Sequence, residues 1–117
     1  MQQTSKELAL AIADFLYNKK GEDIQVLNVE HLTSITDYFV IASARNTQQC
    51  KTMGEDLEEH LEEKFQLTAR RKEGYKDSRW VVLDYASVIV HIFHEQERGY
   101  YSLERLWADG TNLVKAL

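Results

Sequence analysis

The alternation of apolar and polar positions divides the chain into helical and extended stretches. Leu8, Ala11, Ile12, Phe15 and Leu16 recur at intervals of three and four, the spacing that gathers side chains on one face of an α-helix. Thr4 and Glu7 precede them with capping-box spacing, so this helix starts there and ends near Asn18. Lys19 and Lys20 suit the negative end of its dipole, and Gly21 suits the stop. From Ile24 to Val29 the residues become β-branched and roughly alternate, which predicts a strand. After a short polar connection, Tyr38 to Ala42 (YFVIA) is continuously apolar, as expected of a central strand covered on both faces.

Asn46 or Thr47 caps a second helix, on which Cys50, Met53, Leu57, Leu61 and Phe65 form the buried stripe. Glu55, Asp56, Glu58, Glu59, Glu62 and Glu63 make up its solvated face. Leu67 to Lys72 predicts a weaker strand that completes a βαβ-like unit with YFVIA, for which a right-handed parallel crossover is the default. Trp80 to Leu83 and Val88 to Phe93 predict two further strands. Only Asp84, Tyr85, Ala86 and Ser87 join them, a connection so short that it requires an antiparallel hairpin. Beyond His94, EQERGYYSLERLWADG suggests one or two helical turns, and Leu113 to Leu117 an apolar tail. No repeat or composition shift divides residues 1–117. The expected fold class is α/β, a single mixed sheet of about five strands with flanking helices.

A chain of 117 residues can close such a core without disulfides or metals. The net charge of -5 argues against a module that binds by neutralising phosphates, and is compatible with docking on a basic protein. A lone cysteine, Cys50, fits a reducing compartment. No apolar run reaches membrane-spanning length and the N-terminus carries no signal or transit pattern, so a cytoplasmic location without membrane contact is expected.

Catalytic chemistry finds little footing. His91 and His94 lie three apart on a predicted strand and so point to opposite faces, which rules them out as a chelating pair; His91 is expected inside the sheet or at its edge, bonded to a neighbour. Cys50 falls on a buried stripe, and the five glycines are too scattered for a phosphate loop. Asp37 alone resembles part of a nucleotidyl-transfer site. No catalytic residue, metal site or cofactor is expected. Arg70, Arg71 and Lys72 are consistent with RNA contact, but basic residues on an edge strand commonly serve to prevent sheet-to-sheet aggregation. Trp80, Tyr85, Tyr100, Tyr101 and Trp107 are more aromatic residues than one flank of a small domain needs, and such residues dominate interface hot spots. Asp84, Glu95, Glu97 and Glu104 nearby suit a basic partner.

Two segments carry a resemblance. TDYFVIASARNTQQ (Thr36 to Gln49) and RWVVLDYASVIVHIFHEQERGYYSLERLW (Arg79 to Trp107) closely resemble the Iojap/RsfS family of ribosomal silencing factors. The resemblance implies an α/β domain related to the nucleotidyltransferase fold but without its catalytic motif. It further implies a non-enzymatic factor that binds the large ribosomal subunit through ribosomal protein L-fourteen, sterically blocks joining of the small subunit and represses translation. A weak homodimer is also implied, and no sequence-specific nucleic-acid binding. The family's hairpin commonly reads WVLLDYGD, matched here by Trp80, Leu83, Asp84 and Tyr85, with Ala86 and Ser87 in place of Gly-Asp. Its YDLERLW is matched by Tyr101, Leu103, Glu104, Leu106 and Trp107, with Ser102 replacing Asp. Contact roles are therefore expected for Trp80, Leu83, Asp84, Tyr85, Tyr101 and Glu104. The alternatives are a nucleotidyltransferase-like enzyme acting through Asp37 and an RNA-binding module acting through Arg70 to Lys72.

Overall fold

In the computed structural model, residues 4–96 and the backbone of 111–115 are described. The elements run α1 (Ser5–Asn18), β1 (Glu22–Asn28), β2 (Tyr38–Ala44), α2 (Thr47–Phe65), β3 (Arg71–Glu73), β4 (Trp80–Asp84), β5 (Val88–His94) and β6 (Thr111–Lys115). The strands form one sheet in the order β3-β4-β5-β2-β1-β6, in which only β2 and β5 pair in parallel. The mixed α/β class is as expected. The sheet has six strands instead of about five because part of the expected apolar tail pairs with β1 as an edge strand.

Local chemistry fixes both helix starts. The Thr4 hydroxyl accepts from the Glu7 amide at 3.1 Å while the Glu7 carboxylate accepts from the Thr4 amide at 3.0 Å, so two amide donors that lack intrahelical partners are satisfied reciprocally. Asn46 caps α2, its side-chain oxygen accepting from the Gln49 amide at 2.8 Å. Both helices pack on one face of the sheet. Ile12 and Leu16 of α1 and Cys50, Leu57 and Leu61 of α2 meet Val26, Val40, Ala42, Val81, Leu83, Val90 and Ile92 in a single core. Alternation along the strands sends a second set to the opposite face, where Leu27, Val29, Phe39, Ile41 and Phe93 form a smaller cluster.

The βαβ unit expected between YFVIA and residues 67–72 does not form. Gln66, in the left-handed conformation with φ 55° and ψ 38°, ends α2 and turns the chain, and β3 then pairs only with β4, antiparallel, at the sheet edge. The place beside β2 goes to β5. A central strand such as β2, every residue of which is buried, needs a neighbour that is largely apolar on both faces. VIVHIF meets that demand, while Arg71, Lys72 and Glu73 are all exposed and suit an edge.

Candidate functional site

Period-two geometry builds the site from β4 outward. Val81 and Leu83 face the helices, while Trp80, Val82 and Asp84 face the other way. On β5, Phe93, His91 and Ile89 lie directly opposite those three, and Phe39 of β2 aligns with Ile89. Arg71 and Glu73 of β3, together with Gly74, complete one wall; Ile35 from the β1–β2 connection completes another. The result is a groove of about 520 Å³ on the face of the sheet opposite α1 and α2. Such a concave, mainly apolar surface with a few polar groups is the usual form of a binding site.

The groove is held by stacked rings. Trp80 lies nearly parallel to Phe93 at a centroid separation of 5.0 Å, and Phe39 meets His91 edge-on at 5.1 Å. Trp80 Nε1–H donates to His91 Nδ1 at 3.1 Å, which confirms the expected neighbour bond to His91 and fixes the indole's orientation. Burial pushes the His91 imidazole down to about 4, so the ring is neutral at neutral pH. Ile35 is 66% exposed beside this surface, an uncommon position for a large aliphatic side chain at the mouth of a groove.

Charges around the rim are partly matched internally. Asp84 Oδ1 accepts from Arg70 Nε at 3.0 Å and from the Ala86 amide at 2.8 Å. Lys72 Nζ pairs with Glu58 at 3.0 Å, and Glu58 also accepts from the Tyr75 hydroxyl at 2.6 Å. Two of the three basic residues proposed for RNA contact are thus bound to carboxylates of the same chain, and serve to fasten the β3 edge to β4 and α2. Asp37 accepts from the Ser5 hydroxyl at 2.7 Å, tying the start of α1 to β2. Among the described residues no group of three or more histidines, cysteines or acids could hold a metal ion.

The expected contact residues separate. Trp80 and Asp84 line the groove. Leu83 and Tyr85 do not: they are 0% and 7% exposed and belong to the helix-side core. Strand geometry places them there, because odd-numbered positions of β4 turn toward the helices and the Tyr85 ring continues that side past the strand's end. The Tyr85 hydroxyl is buried without a partner among the described residues, and burial together with nearby Glu58 and Glu62 pushes its ionisation upward. Tyr101 and Glu104 lie outside the described residues. Sequence reasoning missed Ile35, Phe39, Val82, Ile89 and His91. Alternation of Trp80, Val82 and Asp84 is the local signal, but it does not say which residues of β5 and β2 lie beside them.

This groove-bearing α/β architecture matches known proteins along nearly its whole length. The family model described as "Ribosomal silencing factor during starvation" matches residues 2–116. The chain belongs to the RsfS family. The ribosomal silencing factor RsfS of Bacillus subtilis is 33% identical to it over 108 residues, covering 92% of this chain and 88% of that protein. The chloroplastic Iojap protein of Zea mays is 31% identical over 88% of this chain and 44% of its own length. A crystal structure of a Chromobacterium violaceum protein superposes with a TM-score of 0.86 at 27% identity, over 98% of this chain and 94% of that one. One from Bacillus halodurans gives 0.79 at 30% identity, over 93% and 98%. RsfS membership accounts for the resemblance carried by both sequence segments, and the curated relatives bear the name of a regulator of the ribosome.

Proposed function

We propose that this RsfS-family protein binds the large ribosomal subunit with the groove face of its sheet and, by occupying the joining surface, prevents association of the small subunit and so represses translation. The direct partner is ribosomal protein L-fourteen. The single observation that supports this most is the groove itself, an aromatic-lined surface facing away from α1 and α2 in a chain whose relatives are named ribosomal silencing factors. Steric exclusion needs no bond made or broken; it needs a rigid body and a patch of about 1,600 Å² in total. Trp80 is the central anchor, Val82 and Ile35 extend its apolar footprint, and Asp84 and Glu73 suit a basic partner. Leu83 and Tyr85 shape the hairpin from behind. Tyr101 and Glu104 remain proposed contacts. The factor works in the cytoplasm without catalysis or cofactor, and a weak homodimer would use the same exposed face.

Co-sedimentation with isolated large subunits tests the surface. Trp80→Ala is expected to weaken binding by about thirtyfold, the scale of a hot-spot aromatic. Ile35→Glu, at an exposed loop position, is expected to weaken it while leaving the melting temperature unchanged. Undiminished binding by both variants would move the contact off the groove. Light scattering of subunit joining tests the function, and an unchanged rate and yield in saturating protein would remove it.

A further inference from the structure

β3 ends the sheet, with β4 on one side and no described strand on the other, and all three of its residues are exposed. Period-two geometry sends Arg71 and Glu73 to the groove face and Lys72 to the side of α2, where Glu58 matches its charge. Arg71 and Glu73 form no ion pair among the described residues. One positive and one negative group therefore stand two positions apart on an open edge. The chain has no proline and the β3–β4 register runs without a bulge, so two devices that commonly close an edge to further pairing are missing from β3.

We infer that this edge pairs with the same edge of a second copy, β3 against β3 and antiparallel, about a two-fold axis beside Lys72. The register follows from the order of the charges. With Lys72 opposite the partner's Lys72, Arg71 meets the partner's Glu73 and Glu73 meets the partner's Arg71, so each unpaired charge finds its opposite on one face of the enlarged sheet. A register moved by two residues would instead set Arg71 opposite the partner's Arg71, or Glu73 opposite the partner's Glu73. Charge on an edge strand ordinarily resists pairing because it meets its like. The order Arg-Lys-Glu turns that resistance into complementarity, and Glu58 offsets the one like pair, the two lysines. A second copy is the fitting occupant because an antiparallel neighbour needs a base followed two positions later by an acid, which is the pattern β3 itself carries. Pairing over three residues buries well under the roughly 1,600 Å² of a stable complex, so the dimer is weak and depends on concentration. The inference locates the contact between copies at the rim of the groove face and stands independently of ribosome docking.

Sedimentation velocity of the protein alone, from about 5 µM to about 500 µM, tests the pairing, with the wild type expected to shift from the mass of one chain toward that of two. Arg71→Glu and Glu73→Arg each set like charges opposite one another at both contacts, and each is expected to dimerise about tenfold more weakly. The double exchange, Arg71→Glu with Glu73→Arg, restores both pairs and is expected to return to within about threefold of wild type. An equal mixture of the two single variants is expected to form a heterodimer, since every contact between them is of opposite sign. Both positions are exposed, so the melting temperatures of these variants stay at the wild-type value. A wild-type protein that remains monomeric at the highest concentration, single variants that associate as the wild type does, or a mixture that stays monomeric overturns the inference. A monomeric wild type whose Arg71→Glu variant is lost from isolated large subunits also overturns it, and assigns the edge to a strand of the docking partner. Retention of the wild type by large subunits is a separate result that tests the docking reading alone.

Discussion

Ala86 shows most directly how a single residue departs from what its position asks for. The hairpin turn holds it at φ 72°, a region where a side chain costs about 1–2 kcal/mol and glycine costs nothing sterically. The turn persists because Asp84 Oδ1 accepts the Ala86 amide and the Tyr85 amide donates to Val88 O at 2.9 Å. Asp84 is therefore first a turn-forming residue, only 13% exposed, and second a rim charge. Ala86→Gly relieves the steric cost but adds entropy to the unfolded chain, so a net gain of about 0.5–1 kcal/mol is expected, read as a rise of about 2–5 °C in thermal melting. His91 sets a second expectation. Its folded pKa lies below the unfolded value, so the unfolded chain binds the proton more readily. Stability is then fully present above pH 6.5 and lost as pH falls through about 4, by an amount on the order of 3 kcal/mol across that window. Urea titrations from pH 7 to pH 4 should show this slope in wild type and a flatter one in His91→Gln.

At the scale of elements, the groove depends on how the short β3 edge is held. Glu58 of α2 takes both Lys72 and the Tyr75 hydroxyl, and Gly74, at φ 95°, brings the chain so close to β4 that a Cβ there would lie 1.8 Å from the Trp80 carbonyl oxygen. Only glycine fits that approach. Gly74→Ala is expected to destabilise the protein by roughly 2–4 kcal/mol, combining overpacking with backbone strain, and to separate β3 from β4. Urea denaturation measures the loss, and hydrogen exchange at the β3–β4 amides locates it. The same element accounts for where the parallel pairing falls. Leu67 to Lys72 follows a helix at the right distance for a βαβ return, but its charged residues can only occupy an edge, and the parallel neighbour of β2 is supplied by the more apolar β5.

For the whole molecule, charge and topology act together. A net charge of -5, with Arg70 and Lys72 engaged by their own carboxylates, favours the proposed docking on a basic protein over contact with bare RNA. Association with large subunits is accordingly expected to slow as salt is raised from 50 to about 300 mM, because steering by opposite charge is screened. Stopped-flow light scattering measures that rate, and a salt-independent association would remove the electrostatic part of the docking model. Among the described residues α1 and α2 pack on one face of the sheet, and the groove of the docking proposal lies on the other.

By itself the sequence determined the two helices with their caps, the hairpin, the apolar strands and the family, since each is written in residues close together along the chain. Thr4 and Glu7, Asn46, and the run from Trp80 to Phe93 carry these signals locally. Only the tertiary structure decided that β5 and not residues 67–72 lies beside β2, that Leu83 and Tyr85 turn inward, and that Ile35, Phe39 and His91 meet at one groove. Those outcomes depend on pairing between distant strands, where the competition is for apolar surface on both faces of a sheet, and no local spacing reveals which segment wins it.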